Sequence, residues 1–123
     1  MNPNEIKAAD LDKLRTYYIN TKNGFVGKET TEEKTQFVME GHKALYFTKA
    51  DDAIKFANTM VMSGSVQFAR VFYCNPQGIH PIALIRKEYD GKMKYVYLGL
   101  GGTGIPVMGG LPALLNRVKQ SKR

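Results

Sequence analysis

Residues 44–64 constrain the fold most, because their sequence specifies the beginning, the period and the end of one helix. The stretch reads ALYFTKADDAIKFANTMVMSG. Residues 44–47 are typical of a short apolar strand, Thr48 is placed to cap a helix, and Gly64 suits the left-handed conformation that ends one. Apolar residues recur between them at helical spacing, at Ala50, Ala53, Ile54, Ala57, Met60 and Val61. We therefore expect a central helix over residues 49–63 that packs on a sheet.

Strands and hairpins are predicted on both sides of this unit. Residues 65–74 carry apolar side chains on both faces, which predicts a central strand covered on both sides. Residues 16–28 and 82–98 contain an Asn-Gly and an Asp-Gly pair, and each pair favours a two-residue type I′ hairpin turn. Residues 36–39 are predicted to add a short strand, and residues 75–78 a type I turn.

The turn of the second hairpin decides which of its residues share a face. A two-residue turn at Asp90 and Gly91 places Lys87 opposite Lys94 and Arg86 opposite Tyr95. One face of the hairpin would then carry Leu84, Arg86, Glu88, Met93, Tyr95 and Tyr97.

The two ends of the chain are predicted to differ in regularity. Residues 5–15 favour a short helix, and a second short helix is expected to begin near Pro112. Residues 99–112 hold six of the twelve glycines and two of the five prolines, so we expect no regular element there. The fold class is therefore α+β, with a mostly antiparallel sheet of about five or six strands. We expect a single domain over residues 1–123, of which 99–123 form a glycine-rich, basic C-terminal arm.

The charge of the chain is concentrated in its second half. The formal net charge is +7, while residues 1–63 hold nine basic and nine acidic side chains. Residues 64–123 hold nine basic side chains against only Glu88 and Asp90. Such asymmetry favours an anionic partner such as nucleic acid, although solvation alone also accounts for a basic surface.

A basic and aromatic surface is the first candidate for function. Lys and Arg side chains neutralise phosphates, and Tyr rings stack on unpaired bases. Since one face of the second hairpin must be core, these tyrosines are alternatively core residues. The candidate nucleic-acid-binding residues are Arg70, Arg86, Lys87, Lys92, Lys94, Tyr95, Tyr97, Arg117, Lys119, Lys122 and Arg123.

Two alternative functions rest on the C-terminal segment. The first is a protein-interaction module or a homo-oligomer, because the segment is more apolar than one short helix requires. The candidate contact residues are Ile105, Val107, Met108, Leu111, Leu114 and Leu115. The second is a nucleotide or phosphate site at Gly99-x-Gly101-x-x-Gly104. Ile105-Pro106 follows at once, where a dinucleotide site needs the start of a helix, so a loop packed close to the sheet or a mobile arm is the preferred interpretation over an anion site.

Catalytic and metal-binding residues are few. Cys74 is the single cysteine, so no intrachain disulfide is possible, and His42 and His80 are the only histidines. Cys74 and His80 flank one turn, but a buried cysteine and an exposed histidine are the preferred interpretation over a Cys–His pair. We expect a non-catalytic protein without cofactor or metal. The chain has no long apolar run and no apolar leader, which favours the cytoplasm.

Part of the chain resembles a module found in small uncharacterised bacteriophage proteins. The resemblance covers residues 16–58 and rests on YYINTKNGFVG followed by ALYFTKADDAIKFAN. It implies a hairpin, a strand and a helix in that order, and a phage or prophage origin. The protein would then act in a bacterial host cell, and the protein-interaction alternative would become a phage factor that binds a host protein, or a small structural subunit. The resemblance implies no site residues.

Overall fold

The structure is a computed structural model that describes residues 16–31, 33–99 and 104–121. Within these ranges it contains eight strands, a short 3-10 helix at Gly41–Lys43 and two α-helices. The strands are β1 Thr16–Thr21, β2 Gly24–Val26, β3 Phe37–Val38, β4 Tyr46–Phe47, β5 Phe68–Asn75, β6 Gly78–Lys87, β7 Met93–Tyr97 and β8 Ile105–Val107. The helices are α1 Ala50–Met62 and α2 Gly110–Ser121. The helix predicted over residues 5–15 lies outside the described residues.

All strands join one antiparallel sheet in the order β3-β2-β1-β5-β6-β7-β8, with β4 paired to β1. The α+β class and the central position of β5 are confirmed. The strand number is larger than predicted, partly because β8 forms in the glycine-rich segment where we expected no regular element. Pro106 is compatible with β8 because this strand pairs only with β7, so its missing N–H faces away from the ladder.

The core lies between α1 and one face of the sheet. Ala50, Ala53 and Ala57 are fully buried on α1, and their small side chains let the helix approach the strands closely. At the C-terminal end, Gly64 has a φ of 83° and donates to the Val61 carbonyl, while Ser65 donates to the Met60 carbonyl. This is the Schellman arrangement, so the predicted glycine stop is confirmed.

The predicted start of α1 is wrong by one residue. The N-cap is Lys49, not Thr48, and no side chain caps the helix. Asp51 and Asp52 in the first turn instead favour the positive end of the helix dipole. α2 likewise begins at Gly110, two residues before Pro112, and Leu114 and Val118 are buried against the sheet.

The predicted register of the second hairpin is wrong by one residue. Gly91 has a φ of 81°, but no described residue other than glycine has a positive φ, so Asp90 does not adopt a type I′ conformation. The Gly91 N–H donates to Glu88, and the Glu88 N–H donates to the Lys92 carbonyl across a three-residue loop. Arg86 therefore pairs with Lys94, not with Tyr95. Because side chains alternate along a strand, this shift exchanges the faces of every β7 residue.

The first hairpin also differs in register, but its faces stay the same. A two-residue turn at Asn23 and Gly24 would pair Thr21 with Val26, whereas Thr21 pairs with Gly24 around a two-residue loop. The Thr21 hydroxyl stabilises this tighter loop, because it donates to the Gly24 carbonyl at 2.9 Å and accepts from the Asn23 N–H at 3.1 Å. A shift of two residues preserves side-chain alternation.

A buried polar contact fixes α1 to β7. The Tyr95 hydroxyl donates to Asn58 Oδ1 at 2.6 Å, and Asn58 Nδ2 donates to the Met62 sulfur at 3.2 Å. Burial raises the pKa of the Tyr95 hydroxyl, because the phenolate would lose its hydration. The hydroxyl is therefore kept as the donor that the Asn58 carbonyl requires.

Replacing Tyr95 by phenylalanine should leave the Asn58 oxygen without its partner. We expect Tyr95→Phe to lower the free energy of unfolding by about 1–3 kcal/mol, measured by urea denaturation. Tyr89 is fully exposed, so Tyr89→Phe makes the same chemical change and should alter stability by less than about 0.5 kcal/mol. Equal stability of the two variants would contradict this role of the Tyr95 hydroxyl.

Candidate nucleic-acid interface

The two faces of the sheet have different surroundings. α1 and α2 pack on the same face, where Tyr95 contacts Asn58 of α1 and the Arg117 guanidinium of α2 lies 5.3 Å from the Tyr97 ring centre. Strand pairing assigns the remaining side chains to the opposite face, which we call the open face. Its residues include Tyr18, Asn20, Phe25, Val38, Tyr46, Phe68, Arg70, Phe72, Cys74, Ile79, Pro81, Leu84, Arg86, Lys94, Val96 and Pro106. Within the described ranges neither α1 nor α2 packs on this face, and coverage of β5 on this side stays a prediction.

An aromatic cluster occupies one end of the open face. The ring centres of Tyr18 and Phe72 are stacked 5.7 Å apart, and Phe25 lies 5.8 Å from Phe72. These neighbours leave Phe72 only 7% exposed, whereas Tyr46, opposite Tyr18 in the register, is 53% exposed. The Lys28 ammonium lies 5.8 Å from the Tyr46 ring centre. The cluster therefore presents an exposed ring beside a cation.

Two polar groups at this end of the open face, the Tyr18 hydroxyl and the Cys74 thiol, have raised pKa values. Burial, and to a lesser extent Cys74 and Tyr46, raise the pKa of the Tyr18 hydroxyl. Burial also raises the pKa of the Cys74 thiol. A thiol with a raised pKa is a poor nucleophile, so Cys74 is suited to packing.

Cations lie at the other end of the open face. Arg86 pairs directly with Lys94 across β6 and β7, and Phe68 pairs with Arg86 across β5 and β6. Glu88 lies beside them, with one carboxylate oxygen 3.1 Å from an Arg86 terminal nitrogen and 3.9 Å from Lys94 Nζ. Arg70 is exposed in the next row of the face and has no ion pair among the described residues.

The structure separates the residues predicted to bind nucleic acid. Arg70, Arg86 and Lys94 come together on the open face. Tyr95 and Tyr97 are 8% and 3% exposed beneath the helices, so their predicted surface position is wrong, because the hairpin register differs by one residue.

Most of the remaining predicted cations lie away from the open face. Lys87 extends on the helix-covered side, where its ammonium donates to the Met62 carbonyl at the end of α1, 3.1 Å away. Lys92 follows the hairpin loop, and Arg117 and Lys119 are exposed on α2. Lys122 and Arg123 lie outside the described residues. Lys87, Arg117 and Lys119 therefore do not extend the open face, whereas Lys92, whose carbonyl accepts from the Glu88 N–H, continues it at the hairpin end, two residues from Lys94.

Most of the apolar C-terminal segment belongs to the protein's own core. Leu114 is fully buried, and Val107, Leu111 and Leu115 pack against the same core. Met108 is 86% exposed and Ile105 is half-exposed at the sheet edge. The apolar excess that suggested a partner-binding segment is thus largely accounted for by packing.

The glycines of the Gly99-x-Gly101-x-x-Gly104 pattern pack closely on the sheet. A Cβ on Gly99 would meet the Tyr97 ring, and a Cβ on Gly104 would lie 2.8 Å from a Val96 methyl. Gly101 lies outside the described residues. Both described glycines therefore have a steric role, which agrees with the interpretation of a packed loop.

Alanine at Gly99 should displace the buried Tyr97 ring. We expect Gly99→Ala to lower the free energy of unfolding by about 1–3 kcal/mol. Gly41→Ala is the matched control, since a Cβ at Gly41 meets nothing within 4 Å and Gly41 has no positive φ. If both variants unfold at the same urea concentration, the close approach of Gly99 to Tyr97 does not contribute to stability.

The structure does not bring the candidate catalytic residues together. Cys74 pairs with Ile79 on the open face. His80 lies on the other side of the sheet, where its ring is stacked on Tyr73 with the ring centres 4.7 Å apart. His80 Nε2 lies 3.2 Å from Asn75 Oδ1, which joins it to the hairpin turn. Among the described residues no three His, Cys, Asp or Glu side chains are grouped as metal ligands.

Sequence reasoning missed the aromatic cluster of the open face. A signal was present, since Tyr17-Tyr18 and Phe72-Tyr73 place aromatic rings on both faces of two strands. Only one face of such a strand can contact α1, so the rings on its other face must lie on the opposite side of the sheet. Chain topology brings these two strands side by side, through the pairing of Tyr18 with Phe72.

Comparisons with known proteins do not indicate a function, so the proposal for this protein depends on the site. No family model, curated protein or solved structure matches the chain. The resemblance of residues 16–58 to a bacteriophage module therefore stays a prediction. In the described ranges, neither helix has the length and apolarity needed to span a membrane.

Proposed function

We propose that this protein binds single-stranded nucleic acid on the open face, without catalysis. The observation that carries the proposal is that aromatic rings and cations share the open face, which neither helix of the described part of the chain covers. Aromatic rings there stack on bases, and arginine and lysine side chains neutralise the phosphates between them. The proposed ligand must offer unpaired bases and phosphates, and both RNA and DNA do so.

The spacing of side chains on β5 suits an extended strand of nucleotides. Phe68, Arg70 and Phe72 are successive residues of the open face, and alternate residues of a strand lie about 6.8 Å apart. The order aromatic, cation, aromatic thus places Arg70 between Phe68 and the Tyr18–Phe72 stack, in which Tyr18 is the more accessible ring. Arg86 and Lys94 continue the cationic row across the neighbouring strands.

The aromatic rings beside the cations favour single strands over duplexes. In a duplex the flat surfaces of the bases are stacked on each other, so a protein ring cannot stack on them unless the base leaves the helix. Bases of a single strand are free to rotate onto Tyr46 or the Tyr18–Phe72 stack. Cations alone would bind single strands and duplexes alike. A measured preference for single strands would therefore show that the aromatic rings contribute to binding.

Removal of the unpaired Arg70 charge should weaken binding and its dependence on salt. We expect Arg70→Gln to reduce affinity for oligouridylate and oligodeoxythymidylate, and to lower the slope of log affinity against log salt by about 0.7, the value for one phosphate contact. Fluorescence anisotropy at several salt concentrations measures both quantities. Lys55→Gln on the exposed side of α1 changes net charge equally and should leave both unchanged.

These variants also separate the proposal from its competitor. If the open face instead binds a protein, we expect no affinity for oligonucleotides at any salt concentration. Absence of binding by the unmodified protein, even at low salt, would therefore overturn the proposed function. Equal effects of the Arg70 and Lys55 changes would place the nucleic acid on another surface.

The aromatic part of the interface is tested at Tyr46, the most exposed ring of the cluster. Tyr46→Phe keeps a stacking surface, whereas Tyr46→Leu keeps only apolar bulk. We expect the leucine variant to lose about 1–3 kcal/mol of binding free energy and the phenylalanine variant to bind almost normally. Titration with oligouridylate provides the comparison, and equal affinity of the two variants would show that no base stacks on residue 46.

A further inference from the structure

One carboxylate already occupies the cations of the open face. Among the acidic side chains that the structure describes, only Glu88 forms ion pairs with Arg86 and Lys94. A single oxygen, Oε1, accepts from Arg86 Nε at 3.2 Å and lies close to an Arg86 terminal nitrogen and to Lys94 Nζ. This oxygen stands where a phosphate oxygen would bind the same two cations.

The position of Glu88 has a physical cause in the strand register. Arg86 and Lys94 are directly opposite each other in an antiparallel pair, where like charges repel. Glu88 follows two residues after Arg86 on the same strand side and offsets that repulsion. The three side chains are each about two-fifths exposed, so the carboxylate is held at the surface and water can replace it.

We propose that Glu88 is an internal competitor of the nucleic-acid phosphate, a specificity-determining residue that limits binding to this end of the open face. The proposal rests on the proposed function. A phosphate that binds the edge of Arg86 formed by Nε and Nη2 must displace the Glu88 carboxylate, which then remains nearby and repels the ligand. Weak anionic ligands are thereby excluded, while a strand that also stacks on the aromatic cluster still binds.

Glu88→Gln tests this role because the amide keeps the size of the side chain and removes its charge. We expect the variant to bind oligouridylate about fivefold more tightly at low salt, as for the loss of one surface charge near a phosphate. Its salt slope should be steeper by about 0.7, because one more cation becomes available. Asp52→Asn on α1 is the matched control, since it changes net charge equally on the opposite side of the sheet.

The outcomes distinguish the two proposals. Tighter binding by Glu88→Gln with unchanged binding by Asp52→Asn supports the internal competitor. If the unmodified protein binds but Glu88→Gln binds equally or more weakly, the competitor role is wrong and the proposed function stands. Equal gains in both variants would also contradict it, because they show an effect of net charge alone. If neither the unmodified protein nor Glu88→Gln binds oligouridylate, both the proposed function and this inference are wrong. Circular dichroism of each variant confirms that it is folded.

Discussion

The close contact between α1 and one face of the sheet is the constraint on which the rest of the structure depends. Three fully buried alanines let the helix lie near the strands, and Ile54 and Val61 fill the remaining space. Side chains alternate along each strand, so this contact assigns every residue of the central strands to one face or the other. Tyr95 and Tyr97 thereby become core residues, and Arg86 and Lys94 become surface residues.

The same constraint leaves a sheet face that neither described α-helix covers, and its composition requires explanation. An exposed sheet face in an antiparallel protein is ordinarily polar, but this one has a stack of aromatic rings at one end. Concentrated exposed apolar surface is a feature of binding sites. The cations at the other end, with Glu88 among them, indicate an anionic partner. A single strand of nucleic acid satisfies both ends, because it offers bases and phosphates in alternation.

Sequence predicted the elements of this fold better than their pairing. The period of α1 and its glycine stop were correct because each is fixed by residues close in sequence. The face of β7 was wrong because Asp90-Gly91 is compatible with loops of two or three residues. The strand patterns did not decide between them, since apolar and basic residues occur on both faces of β6. Likewise, the cluster of Tyr18 with Phe72 depends on pairing between strands distant in sequence, and β8 was missed because its proline is tolerated only at a sheet edge.

The central claim is that the ligand occupies the open face, and carbon–proton correlation spectra of the aromatic side chains test it most directly. Titration with oligodeoxythymidylate should shift the ring signals of Tyr18, Phe25, Tyr46 and Phe72, because stacked bases alter the local magnetic field. The rings of Tyr95, Tyr97 and Phe56, on the helix-covered side, should keep their positions. Shifts confined to that second group, or no shifts at saturating oligonucleotide, would contradict the account.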